Sequence, residues 1–372
     1  MTIPFVDLKC RSPKIRHEIA AAVEQAIEDG QYILGDQVAA FEYSFAGYCG
    51  GKHGIGVGNG TEALHLALRA LGIGPGDEVI TAANTFVATA LAIAYTGAKA
   101  VFVDADPTDY LIDVDLIEQA ITPRTKAIVP VHLYGQPADM AAITEIAARY
   151  GLPVVQDACQ AHGALIGDKP LASFGTAACY SFYPSKNLGA YGDGGMIVTN
   201  CEKLAERVRM LRNYGQRTKN NYEMQGYNSR LDTLQAAILA VKLRYLNEGN
   251  EQRRAAAARY RAVLADQDDL ILPSERPGVS HVYHLYVVQH PQRDELASYL
   301  QENGVQCGIH YPTPIHQVAS FESCRTVPEG APVASRLTSR ILSLPMFPGI
   351  TEEQIDRVAE VTRAFQKSLA VA

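Results

Sequence analysis

The chain has 372 residues, of which 47% are hydrophobic and 20% are charged, a composition typical of a globular protein with a large core. Its length fits roughly two domains of about 150 residues each. The net charge of −7 argues against a nucleic-acid-binding function, which requires a basic surface, but it leaves room for a local pocket that binds a small anion.

The cysteines and the N-terminal segment carry no metal-binding or targeting signal. The seven cysteines form no C-x-x-C pair, and their odd number in a large chain predicts reduced thiols and no metal site. The first 16 residues lack the apolar run of a signal peptide, and no uninterrupted apolar stretch approaches the roughly 18 residues of a membrane span. We therefore expect a soluble, cytoplasmic protein without a membrane partner.

Hydrophobic spacing predicts alternating helices and strands through the first two thirds of the chain. The predicted helices cover residues 15–27, 37–49, 61–71, 86–95, 114–121, 140–150 and 202–212, and the predicted strands cover 55–57, 78–81, 100–103, 127–131, 154–156, 177–182 and 196–199. The first helix should end at Gly30, since glycine is favoured at helix C-termini. Strands that alternate with helices predict crossover connections and a mostly parallel sheet.

The C-terminal third shows a different pattern. A long helical stretch over 231–264, broken near Gly249, is followed by a strand at 282–288, a helix at 294–300, a strand at 305–309 and a closing helix at 352–365. We therefore expect a boundary near residue 245, with a large domain over 1–245 and a small domain over 246–372.

Lys186 is the first candidate for chemistry. It lies in the segment 181–189, where a predicted strand delivers the chain into a turn. A lone lysine is more often a solvated surface residue, but glycines at 189, 192, 194 and 195 let the backbone pass close to a bulky group. A lysine in such a pocket loses solvation, its pKa falls, and it becomes a nucleophile that can form a Schiff base.

Asp157 is the second candidate, directly after a predicted buried strand and therefore at the sheet edge where α/β proteins bind ligands. Judged alone, it could cap a following helix. With Lys186 downstream, it fits a carboxylate that keeps a pyridine nitrogen protonated and so makes the ring an electron sink. Gln160 is placed to hydrogen-bond the ring hydroxyl.

The segment 58–63 places a glycine turn between a predicted strand and helix, so the N–H groups of Thr61 and Glu62 are expected to face a phosphate. It also fits the dinucleotide fingerprint G-x-G-x-x-A, but the acidic ribose ligand about 20 residues further on is missing. Phe86 follows a strand end and could lie flat on a planar ring, although a core role is the alternative. Together these contacts are those that pyridoxal phosphate (PLP) needs.

These residues strongly resemble the DegT/DnrJ/EryC1/StrS nucleotide-sugar aminotransferases, which are fold type I PLP enzymes. The resemblance covers nearly the whole chain, and its most specific segments are 60–64, 156–162, 181–195, 226–232 and 310–312. It implies an α/β fold in which a large domain with a mostly parallel central sheet, flanked by helices, is joined to a smaller C-terminal α+β domain. One departure is Cys159, where the family more often has alanine.

The resemblance also implies roles for residues at the cofactor. Lys186 would hold PLP covalently and later carry a proton, and Asp157 would pair with the pyridine nitrogen. The other implied cofactor ligands are Gln160 at the ring oxygen, Phe86 stacked on the ring, and Thr61, Glu62 and Ser181 at the phosphate.

Further residues of the resemblance concern the substrate and the partner subunit. Asn228 would reach the cofactor phosphate from the neighbouring subunit, which implies a homodimer with shared sites. Tyr183, His310 and Tyr311 would contact the hexose.

The implied reaction moves an amino group from glutamate to a keto-sugar linked to a nucleoside diphosphate. The segment 183–193, with His310 and Tyr311, resembles the branch that acts at C3, so a dTDP-3-keto-6-deoxyhexose is the expected substrate. The 4-keto-sugars and the 3-keto-uronic acids remain alternatives.

Three other functions are compatible with parts of the pattern. A sugar dehydratase of the same fold would carry histidine in place of Lys186. A PLP-binding sensor without turnover usually has a DNA-binding domain, of which the sequence gives no sign. A dinucleotide oxidoreductase would leave Lys186 and Asp157 unexplained.

Overall fold

The computed structural model describes residues 2–9 and 12–369. The helices in these residues are α1 (Pro13–Asp29), α2 (Asp36–Tyr48), α3 (Gly60–Ala70), α4 (Val87–Tyr95), α5 (Val114–Ala120), α6 (Met140–Tyr150), α7 (Glu202–Leu211), α8 (Thr233–Leu243), α9 (Leu246–Leu264), α10 (Arg293–Glu302), α11 (Pro332–Thr338) and α12 (Glu352–Leu369). The strands are β1 (His53–Val57), β2 (Glu78–Ala82), β3 (Lys99–Val103), β4 (Thr125–Val129), β5 (Val155–Asp157), β6 (Leu165–Ile166), β7 (Lys169–Pro170), β8 (Ala177–Ser181), β9 (Gly195–Thr199), β10 (Gln216–Thr218), β11 (Asn221–Tyr222), β12 (Val279–Ser280), β13 (Tyr286–Gln289), β14 (Arg325–Val327) and β15 (Ile341–Leu344).

The central sheet has two halves. One half has the strand order β1-β9-β8-β5 and the other has the order β14-β3-β2-β4. Parallel bridges from Ile128 to Val154 and from Val131 to Asp157 join them between β4 and β5. In these two halves β9 runs antiparallel to both of its neighbours, β1 and β8, and the other pairs of the described strands are parallel. The predicted mostly parallel sheet is therefore confirmed.

Strand β3 shows how the sheet becomes buried on both faces. Successive side chains of a strand point to opposite faces, and helices cover both faces of a parallel sheet. Ala100 and Phe102 accordingly join one hydrophobic cluster, and Val101 and Val103 join another. The unbroken apolar runs in the sequence are the consequence of this double burial.

The helix starts and stops agree closely with the sequence signals. Ser12 caps α1 by accepting a hydrogen bond from the N–H of Ile15, and Gly30 ends the helix in the left-handed conformation at φ 64°. Asn59 caps α3 and Asp139 caps α6 in the same way as Ser12 caps α1. The predicted helices and strands before residue 212 all occur in the structure with small shifts at their ends.

Three expectations for the C-terminal third need correction. The long helical stretch breaks at Tyr245 rather than Gly249, because Tyr245 leaves helical geometry and its hydroxyl donates to Glu18 of α1 at 2.8 Å. The strand expected at 282–288 begins only at Tyr286, since Tyr283 adopts a positive φ of 42°. The strand expected at 305–309 is reduced to isolated bridges at Val305 and Gly308.

The C-terminal third contains its own hydrophobic cluster, which is built mainly from α9, α10, α12, β13 and β15. The segment that carries β14 and α11 packs instead against the central sheet, where β14 pairs with β3. The described cysteines are all free thiols, and Cys10 lies outside the described residues. None of the described helices is long and apolar enough to cross a membrane.

Candidate active site

A cavity of about 670 Å³ opens at the edge of the sheet where β1, β5 and β8 end. This is the edge at which parallel α/β sheets bind ligands, and the volume suits a cofactor together with part of a substrate. Ten of the eleven site residues predicted from the sequence line it, and Asn228 is the exception. The ten are Thr61, Glu62, Phe86, Asp157, Gln160, Ser181, Tyr183, Lys186, His310 and Tyr311.

Lys186 reaches this cavity from a tight turn that follows β8. The N–H of Lys186 donates to the carbonyl of Tyr183 at 2.8 Å, and the N–H of Ala190 returns to the carbonyl of Phe182 at 2.7 Å. Burial lowers the pKa of the Lys186 ammonium, and the nearby Cys159 and Asp157 oppose that shift more weakly. Lys186 is therefore a partly desolvated amine and not a solvated surface lysine.

Two glycines near Lys186 are required by close packing of the backbone and not by a ligand. A Cβ on Gly195 would lie 2.3 Å from the carbonyl oxygen of Asn59, so only glycine lets β9 pass this close to the start of α3. A Cβ on Gly60 would lie 2.6 Å from Cβ of Ser181. The two glycines thus bring the N-terminus of α3 against the end of β8, beside Lys186.

Asp157 ends β5 with its side chain buried. Its Oδ2 accepts a hydrogen bond from the hydroxyl of Thr89 at 2.7 Å, and its Oδ1 accepts one from the N–H of Cys159 at 3.1 Å. No described lysine or arginine forms an ion pair with Asp157, and the residues after it form turns, so it caps no helix. A buried carboxylate with such partners suits a protonated ring nitrogen.

Thr89 is a site residue that sequence reasoning missed. It lies in the first turn of α4, three positions after Phe86, and its hydroxyl also lies 3.0 Å from that of Thr85. A Thr85–Thr89–Asp157 chain of hydrogen bonds therefore orients the carboxylate. Nothing in the local sequence signals this contact, since Thr89 and Asp157 are 68 positions apart.

Gln160 is held in one orientation. The N–H of Tyr134 donates to its Oε1 at 2.7 Å, so its Nε2 is directed to the hydroxyl of Tyr311 at 3.2 Å. The second hydrogen of that Nε2 is available to an oxygen in the cavity. This geometry fits the expected ligand of the ring oxygen.

At the start of α3 the structure corrects one expectation. The N–H of Glu62 donates to the side chain of Asn59 at 2.9 Å, so it is not free to face a phosphate. The Glu62 carboxylate in turn accepts a hydrogen bond from Ser229. Thr61 and Ser181 both line the cavity here, at a helix N-terminus whose partial positive charge suits an anion.

Phe86 is not a core residue. Its side chain is 48% exposed, it precedes α4, and its ring centroid lies 5.2 Å from that of Tyr311. The ring therefore forms part of the cavity wall, where it can cover a flat group.

His310, Tyr311 and Tyr183 form another part of the wall. His310 stacks on Phe5 with ring centroids 5.4 Å apart, and its Nδ1 lies 2.8 Å from the hydroxyl of Ser343. Burial, with a smaller effect of Lys186, lowers the pKa of His310 to about 4, so this ring is neutral at pH 7. Burial raises the pKa of Tyr311, which keeps its hydroxyl protonated. Tyr183 is mostly exposed.

Asn228 lies outside this cavity. It is exposed, it pairs with Asn213 in an isolated bridge, and its side chain accepts a hydrogen bond from Arg230. The chain therefore does not bring Asn228 to its own Lys186.

The chain matches the model of the DegT/DnrJ/EryC1/StrS aminotransferase family over residues 13–363. It is 48% identical to a pleiotropic regulatory protein of Geobacillus stearothermophilus, over 98% of this chain and 100% of that one. It is 45% identical to dTDP-3-amino-3,4,6-trideoxy-alpha-D-glucose transaminase of Streptomyces venezuelae, over 97% and 95% of the two chains. The crystal structure of S. venezuelae DesV in complex with a ketimine intermediate is similar with a TM-score of 0.95, at 44% identity and 98% coverage of both chains.

Proposed function

Because the chain belongs to the DegT/DnrJ/EryC1/StrS aminotransferase family, we propose that it uses PLP to transfer an amino group from glutamate to C3 of a nucleotide-linked keto-sugar. The observation that carries the proposal is the pairing of a desolvated amine, Lys186, with a buried carboxylate, Asp157, in one cavity. The presence of Lys186, where a dehydratase would carry histidine, disfavours a dehydratase. A dinucleotide oxidoreductase would leave Lys186 and Asp157 without a role.

The cavity residues fit PLP one by one. Lys186 would hold it covalently, Asp157 would face the ring nitrogen, Gln160 the ring oxygen, and Phe86 the ring face. Thr61 and Ser181 would hold the phosphate at the start of α3. When bound, PLP supplies an electron sink, because its protonated ring stabilises negative charge on the reacting carbon.

In the first half of the reaction the Lys186 amine would take the proton from the α-carbon of glutamate, the amino group would stay with the bound cofactor, and addition of one water would release 2-oxoglutarate. In the second half that amino group would pass to C3 of the sugar, the carbonyl oxygen of C3 would leave as water, and Lys186 would deliver the proton to C3. Removal of a proton needs the neutral amine, and burial, which lowers the pKa of Lys186, favours that form. Asp157, oriented by Thr89, would face the ring nitrogen.

The S. venezuelae relative is named for a 3-amino sugar, which supports a 3-keto-6-deoxyhexose as the substrate. No arginine is among the described residues that line the cavity, so neither the carboxylates of glutamate nor that of a uronic acid would meet a guanidinium from these residues. The 4-keto-sugars stay the main alternative.

The test supplies glutamate with 3-keto and with 4-keto dTDP-6-deoxyhexoses separately and identifies the products by NMR. We expect a 3-amino sugar and 2-oxoglutarate. Turnover of the 4-keto sugar alone would contradict the C3 assignment and leave the aminotransferase intact.

A sensor without turnover is a second candidate, because the Geobacillus relative carries a regulatory name. Such a protein would bind PLP at Lys186 but would not convert glutamate to 2-oxoglutarate. Measuring 2-oxoglutarate in a single turnover with glutamate alone separates the two functions.

We also propose a homodimer in which Asn228 completes the partner's cavity, and a domain boundary near residue 245. The exposure of Asn228 outside its own cavity supports the first. The separate hydrophobic cluster of the C-terminal third supports the second.

A further inference from the structure

His284 lines the cavity but belongs to none of the sequence motifs that suggested the site. It lies just before β13, in the C-terminal third, and only 8% of its surface is exposed. Its Nδ1 lies 3.1 Å from Oδ1 of Asn187, the residue after Lys186. The direction of this hydrogen bond decides what the other ring nitrogen can do.

Two backbone carbonyls determine that direction, because a carbonyl can only accept. Nδ2 of Asn250 donates to the carbonyl of His162 at 2.9 Å, which leaves Oδ1 of Asn250 directed to Asn187. Nδ2 of Asn187 donates to that Oδ1 and to the carbonyl of Val282, both at 2.9 Å. Both hydrogens of the Asn187 amide are thereby used, and the atom that faces His284 is an oxygen.

Since an oxygen faces it, Nδ1 of His284 carries the hydrogen and donates. Burial, reinforced by Lys186 and Arg253, lowers the pKa of His284 well below its ordinary value, so the ring carries only one hydrogen. Nε2 is then a bare acceptor. Nε2 makes no hydrogen bond to the described residues. Unlike both ring nitrogens of His162, which are fully buried without a partner, it is not fully buried.

Two other buried histidines have the opposite tautomer. Nδ1 of His132 and Nδ1 of His281 each accept a hydrogen bond from a backbone N–H at 2.9 Å, so their hydrogen is on Nε2. The tautomer of His284 is therefore specific to its position beside Asn187.

The cavity wall near Lys186 contains several donors, namely the lysine amine, tyrosine hydroxyls and the Gln160 amide. Its carboxylates are those of Glu62 and Asp157, which already accept hydrogen bonds from Ser229 and Thr89, and of Asp193. A sugar hydroxyl can accept from the donors, but its own hydrogen needs an acceptor, and an unmatched buried donor is costly. We propose that Nε2 of His284 accepts a hydrogen bond from a ring hydroxyl of the keto-sugar, and that Asn187 is the positioning residue that holds this tautomer. The inference rests on the proposed function for the identity of the ligand.

The tautomer can be tested without substrate or cofactor. In the apo-protein with ¹⁵N-labelled histidine, long-range ¹H–¹⁵N spectra distinguish Nδ1–H from Nε2–H, and loss of a signal in His284→Asn assigns it. We expect Nδ1–H for His284 and Nε2–H for His132 and His281. An Nε2–H signal from His284 would overturn the inference.

Two substitutions at His284 test the roles of Nδ1 and Nε2 separately. His284→Asn can keep the donor to Asn187 but has no atom at the position of Nε2, whereas His284→Gln can place an amide oxygen there. Binding of the nucleotide-linked 3-amino sugar to the holoenzyme, measured by calorimetry, should weaken roughly tenfold in His284→Asn and much less in His284→Gln. His17→Asn, on the exposed face of α1, is the matched control and should bind as the wild type does.

Analogues that each lack one ring hydroxyl complete the test as a double-mutant cycle. One of them should bind the wild type roughly tenfold more weakly and show no such loss with His284→Asn. Independent losses for every analogue would overturn the inference and leave the proposed function intact. If the wild type bound no nucleotide-linked sugar, the proposed function would fail and the ligand assignment with it, whereas the NMR result would stand.

Discussion

Two strand ends in the central sheet have nearly the same sequence pattern and different surroundings. Asp104 follows β3 and Asp157 ends β5, each is buried, and each is followed by alanine. The carboxylate of Asp104 accepts backbone N–H groups from Ala105, Val333 and Ala334, at 2.8 to 2.9 Å, and so holds the start of α11. Asp157 accepts one hydroxyl and one N–H and borders the cavity.

The difference shows that a carboxylate at the carboxyl end of a strand is not by itself a functional signal. What distinguishes the two is how much of the carboxylate's hydrogen-bonding capacity the protein uses. Asp104 is satisfied by a segment about 230 residues away, whereas Asp157 keeps capacity for a group in the cavity beside Lys186.

The largest effect on the rate of transamination should come from removing the amine of Lys186, which lies in the cavity beside Asp157. Lys186→Ala should lower transamination below about a thousandth of the wild-type rate, because no other described lysine lines this cavity. Borohydride reduction of the wild-type holoenzyme followed by peptide mass mapping should place the pyridoxyl group on Lys186. A label on another lysine would show that the site is elsewhere.

The direct test of the comparison exchanges charge for amide at both strand ends. Asp157→Asn should reduce turnover by orders of magnitude with little change in apo-protein stability, since an amide is easier to bury than a charge. Asp104→Asn should lower the free energy of unfolding by about 1–3 kcal/mol, because an amide NH₂ would face backbone N–H groups.

Turnover and urea denaturation of both variants give the four values needed. Equal stability losses at the two positions, with normal turnover in Asp157→Asn, would remove the distinction drawn between them.

A smaller effect should follow from the hydroxyl that orients Asp157. Thr89→Val keeps the shape of the side chain and removes the donor to Oδ2 of Asp157. A hydrogen bond to a charged group contributes about 1.5–3 kcal/mol, so we expect turnover to fall roughly tenfold or more. The matched control is Thr144→Val on α6, whose hydroxyl bonds only backbone carbonyls. Wild-type turnover in Thr89→Val would mean that the carboxylate needs no such support.

The sequence predicted the parts of this edge that depend on local patterns. The alternation of helices and strands, the turn that carries Lys186 and the strand that ends at Asp157 follow from spacing and glycine placement. The contacts of Thr89 and His284 could not be predicted, because they depend on side chains that meet across the fold. The break at Tyr245 has the same origin, a contact with α1 that no helical periodicity records. The contact of Asn59 with the N–H of Glu62 is local, and asparagine at a helix N-cap is a sequence signal that the expectation for Glu62 overlooked.

The smallest expected effect tests whether one chain alone completes the cavity at the end of β5. Asn228 lies outside the cavity of its own chain, so its proposed role at the cofactor phosphate requires a second subunit. Lys186→Ala and Asn228→Asp should each be impaired alone, the second because its charge repels the phosphate. In a hybrid dimer one site combines both defects and the other has neither. Random subunit exchange makes half of the dimers hybrid, so an equal mixture should recover about a quarter of wild-type activity.

Mixing Lys186→Ala with Asp157→Asn is the control, because both residues belong to the same chain's cavity and every site keeps a defect. If exchange, confirmed by mass spectrometry of differently tagged subunits, restored no activity in the first mixture, each chain would have to build its site alone.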